Sequence, residues 1–135
     1  MMMKMLEAGG MEAIQDGIRT ANDDNPGGYY EFERVKQIQK DDTFLTESQG
    51  KVIKILFNFL YDLPSTYRYK IIFMRRAMGE ILASQNKMME RRGEKNDIPD
   101  AEMSMIFDMQ IKKAKAWLAE QDNIEAIYVN YNDLL

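Results

Sequence analysis

The chain contains no cysteine and no histidine. The first absence removes disulfides, thiolate metal sites and cysteine nucleophiles together. The second removes the usual general base near neutral pH, the Ser-His-Asp arrangement and imidazole ligation of metals. Any proton transfer would fall to a carboxylate, a lysine or a tyrosine. Only three prolines interrupt the 135 residues, and no apolar run approaches the ~20 residues of a membrane-spanning helix. The opening residues, MMMKMLEAGG, lack the apolar stretch and small-residue cleavage site of a signal peptide, so the expected location is cytoplasmic. Positive charge is in the minority: 18 Lys and Arg against 22 Asp and Glu leave a net charge of −4. The long-range field therefore disfavours nucleic acid and anionic membranes as partners, and any anion site has to be local.

What is present suits a folded chain. Apolar residues make up 45% and charged residues 30%, ordinary values for a soluble globular protein. A chain of this size buries roughly 65 to 70% of its unfolded surface, enough for one domain with a real core, so residues 1–135 are expected to form a single domain.

Periodicity supplies the elements. MMMKMLEAGG reads as the tail of a helix closed by a glycine pair. Residues 11–16 have mixed strand propensity, and NDDNPGG at 22–28 is a turn-rich loop. Residues 29–38 read as a helix whose buried side is Phe32, Val35 and Ile38. GKVIKILFNFL begins as a strand, and residues 69–74 form the clearest one, apolar enough to be covered on both faces. Met78, Ile81, Leu82, Gln85, Met88 and Met89 mark one face of a helix ended by Gly93. Met103, Ile106, Phe107, Ala114, Trp117 and Leu118 mark a second, and IEAIYVNY from residue 124 is a further strand. Alternation of this kind predicts an α/β architecture around a largely parallel sheet.

Ligands of such sheets sit beyond the carboxyl ends of the strands, where loops enter helix N-termini. Arg76 falls at that point in IIFMRRAMGEILASQ. The first backbone N–H groups of the next helix, from about Ala77, favour an anion at the same place. Ala77, Glu80 and Ser84 share one helix side by their spacing, so Ser84 can offer a hydroxyl to a group held by Arg76. The ligand this suggests is a phosphate. Against it stands the commoner role of a strand-ending arginine, which is to be solvated or paired with a carboxylate.

KVIKIL, then LP, YKIIFMRRAMGEILASQ and IYVNYNDLL occur in the order and spacing of the sulfotransferase core, and the chain resembles that family, in its bacterial branch, from about residue 50 onward. The resemblance implies a three-layer fold with a mostly parallel, P-loop-like sheet and a donor that is 3′-phosphoadenosine 5′-phosphosulfate. In the family a strand ending in arginine, followed eight residues later by a helical serine, binds the donor's 3′-phosphate; Arg76 and Ser84 match. Ala77 and Met78 stand where the family has Asp-Pro. Lys54 matches the lysine placed near the bridging oxygen, while Ile55 and Leu56 replace the threonine and the histidine base. Some branches use a glutamate as base, a role that Glu31 or Glu33 in GYYEFE could take. Tyr131, Asp133 and Leu134 resemble a late structural landmark of the family.

A loop of the PKSGT or PRSGT type, which holds the 5′-phosphosulfate in the family, does not occur in the sequence. The resemblance therefore implies a partial domain, cut short at both ends and lacking the usual first strand, that is inactive in transfer by itself but able to bind 3′-phosphoadenosine 5′-phosphosulfate or 3′-phosphoadenosine 5′-phosphate. The alternative is a non-catalytic domain of the same fold that self-associates, as a dimer, because unpaired strand edges seek partners. A P-loop kinase relative is disfavoured by the lack of GxxxxGK[ST]. Of the twelve methionines, those at 78, 88, 89, 103 and 109 are expected to pack mostly at helical core positions, while Met1 to Met5 are expected to be exposed and to mark a sticky surface where the absent first strand would have packed. Asp23, Asp24, Asp41 and Asp42 lack the spacing of a calcium loop and read as turn residues and helix caps.

Overall fold

The computed structural model describes residues 1–18, 20–23, 25–26 and 28–135. They divide into two compact units, Met1–Pro64 and Ser65–Leu135. Helix and strand are mixed, and the strands form two parallel pairs. No helix among the described residues is long and apolar enough to cross a membrane.

In the first unit, helix α1 (Met2–Ala8) ends as its glycine pair predicts. Gly10 takes φ 95°, and Met11 N–H reaches back to Leu6 C=O at 3.0 Å. A Cβ would disfavour that left-handed backbone, so the cap depends on glycine. Strand β1 (Ala13–Ile14) pairs in parallel with β2 (Val52–Ile53), in register Ala13 with Val52 and Ile14 with Ile53. The helix expected over residues 29–38 is shorter and tighter, a 3₁₀ turn at Glu33–Gln37. Its apolar residues recur every three positions, which is the 3₁₀ repeat and not the 3.6 of an α-helix. The strand beginning GKVIKIL stops after two residues. A second 3₁₀ turn, Phe57–Asp62, follows, and Leu60 within it is buried. Val35, Ile38, Leu60 and, from the short helix α2 (Phe44–Glu47), Phe44 and Leu45 make up the buried core. Phe32 meets Phe44 edge-on at 5.5 Å.

Long-range capping ties this unit together. Asp16 accepts hydrogen bonds from the N–H groups of Glu33 at 2.6 Å and Ile18 at 3.1 Å, so a carboxylate 17 residues away caps the 3₁₀ turn. These two N–H groups, Glu33 first, hold its carboxyl below the ordinary value of 3.8. Asp41 bonds both the hydroxyl and the N–H of Thr43, and Arg34 lies 3.3 Å away. This is the turn role expected of it; Asp24 lies outside the described residues.

The second unit follows its periodicity closely. Strand β3 (Tyr69–Arg75) pairs in parallel with β4 (Ile124–Asn130) over all seven residues, from Tyr69 with Ile124 to Arg75 with Asn130. Asn123 sets that register, because its C=O accepts from Tyr69 N–H at 2.9 Å while its side chain donates to Tyr67 C=O at 2.8 Å. Helices α3 (Met78–Arg91) and α4 (Asp100–Glu120) form the crossover. Gly93, at φ 70°, ends α3, with Glu94 N–H bonded to Met89 C=O at 2.9 Å. Phe73, Leu82, Ala114 and Leu118 are buried. Such a side chain contributes roughly 1.5–3 kcal/mol when it is as large as leucine or phenylalanine.

The apolar faces read from the sequence are buried or half-buried in both helices, with one exception among the methionines. Met109 is 68% exposed. It precedes Ala114 by five residues, which is about 140° around the helix from the buried side. Met1 and Met5 are exposed as well, whereas Met2 and Met3 are half-buried.

Candidate functional site

The strongest concentration of polar contacts near the carboxyl ends of β3 and β4 is built by three short stretches. Side chains alternate along β3, so Arg75 shares the face of Phe73, and its guanidinium carbon stands 5.8 Å from the Tyr128 ring centre. The Arg75 Nε is buried and has no hydrogen-bond partner. Arg76 leaves the strand at the next position and is exposed. Its Nε donates to Glu80 Oε2 at 2.9 Å, and its guanidinium carbon lies 4.8 Å above the centre of the Tyr131 ring. The other oxygen of Glu80 accepts from Asn132 Nδ2 at 2.9 Å. Asn130, the last residue of β4, donates to Asp133 at 2.9 Å and braces the turn that carries Tyr131 and Asn132.

Helix α3 starts immediately beyond. Ala77 precedes it with extended backbone, φ −57° and ψ 133°, and has no side-chain cap. The first N–H groups of the helix therefore retain their attraction for an acceptor. Ser84 lies one turn after Glu80 and is exposed. Thus Arg76, Glu80 and Ser84 succeed one another at intervals of four along α3 and its entry.

Glu80 is the participant that sequence reasoning placed on the right helix side without giving it a role. The legible signal was the Arg76–Glu80 spacing of four, the ordinary helical ion-pair interval. Hydrogen bonds from Asn132, first, and then from Arg76 hold the Glu80 carboxyl below its usual 4.5. It remains an anion throughout the neutral range. The ion pair engages only the Nε–H of Arg76, one of the five N–H donors of the guanidinium.

Lys54 and Glu31 belong to the other unit. Lys54 follows β2, and its Nζ donates to Tyr29 C=O at 2.7 Å and lies 6.0 Å from the Tyr29 ring centre. This anchors the GYYEFE stretch to β2. Glu31 is half-buried, and its backbone C=O accepts from Asp16 N–H at 3.2 Å. Glu33, the other carboxylate considered as base, pairs with Lys36 at 2.9 Å. The four residues singled out from the sequence thus fall two and two: Arg76 stands at the entry to α3 and Ser84 about two turns beyond it, whereas Lys54 and Glu31 lie in the first unit.

Among the described residues no three acidic side chains meet in a way that could hold a metal ion. A shallow concavity between the end of α3 and the start of α4 is lined by Asn86, Glu90, Glu94, Asn96 and Asp100, with none of the four residues above. Asn86 spans it, donating to Asp100 at 3.0 Å and accepting from Asn96 at 3.2 Å. Its acidic lining repels anions. No family model, curated protein or solved structure matches the chain.

Proposed function

We propose that the β3–α3 junction is a phosphate subsite for a 3′-phosphorylated adenosine nucleotide, in a domain of sulfotransferase type with a three-layer core. The observation that carries the reading is the placement of Arg76 at the carboxyl end of a parallel strand pair, directly before the uncapped start of a 14-residue helix. Arg76 supplies the charge and Ser84 a hydroxyl, and the Tyr131 ring beneath the guanidinium limits its rotamers. Glu80 acts as the resident counter-ion of Arg76.

The reading is one of binding without transfer. Sulfuryl transfer needs a base on the acceptor and positive charge on the leaving phosphate. Lys54 is engaged with a backbone carbonyl, and the chain has no histidine. The ligand is 3′-phosphoadenosine 5′-phosphosulfate or its spent form, 3′-phosphoadenosine 5′-phosphate, in a cytoplasmic setting.

Calorimetric titration with 3′-phosphoadenosine 5′-phosphate, with adenosine 5′-monophosphate as control, tests this directly. Binding of the first alone, lost in Arg76→Ala, is the expected result. Equal binding of both nucleotides, or no binding by folded protein, would overturn it.

A further inference from the structure

The Arg75 guanidinium is half-buried, and its Nε–H is shut off from solvent without an acceptor. Polar groups taken out of water are ordinarily hydrogen-bonded, so a donor in that state is open to an acceptor from outside the chain. A second cation lies close by. Lys115, also half-buried, reaches from α4 to the Tyr128 ring, its Nζ 4.8 Å from the ring centre, where the Arg75 guanidinium carbon stands at 5.8 Å. The π face attracts both, but it leaves the Arg75 N–H donors unused and does not cancel the repulsion between two like charges.

No carboxylate of the surrounding elements answers them. Side chains alternate along the paired strands, so the face of Arg75 also carries Phe73, Tyr128 and Asn130, none of them acidic, while Glu125 belongs to the other face. Along α4, the residues three and four positions from Lys115 are Ile111, Lys112, Leu118 and Ala119, so no acidic residue stands at the helical ion-pair interval. Asp108 is held by Lys112 and Glu80 by Arg76. Glu120 and Asp122 precede β4, whereas Arg75 stands at the far, carboxyl end of the strand pair. Asp133 accepts from Asn130 Nδ2 at 2.9 Å. Among the described residues neither Arg75 nor Lys115 forms an ion pair.

We propose that Arg75 and Lys115, set on the Tyr128 ring, form a binding site for a tetrahedral dianion, a phosphate group. The guanidinium offers its planar fork of N–H donors to two phosphate oxygens, and the ammonium adds a compact point charge from the helix side. Two negative charges offset both cations at once, which a single carboxylate does not. The chain as a whole carries −4, so the attraction comes from this local pair and not from the overall field. Arg75 and Arg76 rest on different rings, Tyr128 and Tyr131. The site is therefore independent of the nucleotide reading, and its test is separate.

The full chain is titrated with inorganic phosphate at constant ionic strength and followed by nitrogen–proton spectra. The Arg75 Nε–H and Tyr128 amide signals should shift saturably, whereas chloride leaves them in place. Arg75→Gln and Lys115→Gln should each weaken binding about tenfold, as loss of a hydrogen bond to a charged group does. Together they should abolish the shift at Tyr128, while the Arg76 Nε–H signal reports separately on the β3–α3 junction. Lys115→Gln carries the test if Arg75→Gln does not fold. Glycerol 3-phosphate distinguishes the sources: tighter binding than inorganic phosphate assigns the site to a phosphorylated metabolite, weaker binding to the free ion, and both support it. Stationary Arg75 and Tyr128 signals in folded protein at millimolar phosphate, an equal response to chloride, or a Tyr128 shift that survives Lys115→Gln undiminished would overturn the proposal.

Discussion

In the Ser65–Leu135 unit, two paired seven-residue strands and helices of 14 and 21 residues make the framework. Among its described residues the Met1–Pro64 unit has two-residue strands, short helices and two 3₁₀ turns, yet five of its described apolar side chains are buried against four in the other unit. The difference lies in what orders the backbone. Long elements satisfy their own N–H and C=O groups, whereas short ones leave them to side chains. Asp16 capping Glu33, Asp41 bonding Thr43 and Lys54 reaching Tyr29 C=O perform that service in the first unit.

The contrast can be broken with large-to-small substitutions. Leu118→Ala, on a long helix that cannot close around the void, is expected to cost about 3 kcal/mol. Leu60→Ala, in a 3₁₀ turn whose neighbours can collapse further, is expected to cost about 2 kcal/mol. Urea unfolding of the two variants gives both values. An equal or larger loss for Leu60→Ala would mean that the short elements hold their cavity as rigidly as the helix does.

Replacing Asp16 sharpens the same point. Its folded carboxyl titrates below the ordinary 3.8, so its contribution is present above that value and lost as pH falls through the folded value. Asp16→Asn should lower stability at neutral pH and flatten the acid limb of unfolding that Asp16 supplies. An unchanged acid limb would place the cap's importance elsewhere.

Legibility followed the same division. In the second unit, the apolar spacing of Met78 to Met89 and of Met103 to Leu118 marked faces that are buried or half-buried, and residues 69–74 located β3 to within one residue. Met109 departs from the burial that its helical stretch predicts because it stands about 140° around the helix from Ala114. In the first unit, Phe32, Val35 and Ile38 were read as an α-helical side although a strict repeat of three belongs to a 3₁₀ turn. Nothing local in the sequence signals a cap between Asp16 and Glu33, because its two ends are distant in the chain. At the β3–α3 junction, the position of Arg76 just before a helix and its interval of four to Glu80 were legible in the sequence, whereas the bond from Asn132 to Glu80 joins residues 52 apart in the chain.

The smallest expected effect on stability is at Glu80, whose ion pair with Arg76 is exposed and therefore weakly stabilising. Glu80→Gln keeps an acceptor for Asn132 but removes the charge. It should leave the unfolding midpoint nearly unchanged while raising affinity for 3′-phosphoadenosine 5′-phosphate several-fold. A loss of affinity would make Glu80 a positioning residue for Arg76.

The Arg76 side chain itself reports most directly on the central claim. In nitrogen–proton correlation spectra, 3′-phosphoadenosine 5′-phosphate should shift the Arg76 Nε–H resonance and the amides of Met78 and Gly79 together, saturably, while adenosine 5′-monophosphate leaves them in place. Movement with both nucleotides alike, or a stationary Arg76 signal in folded protein at saturating nucleotide, would contradict a 3′-phosphate subsite at this junction.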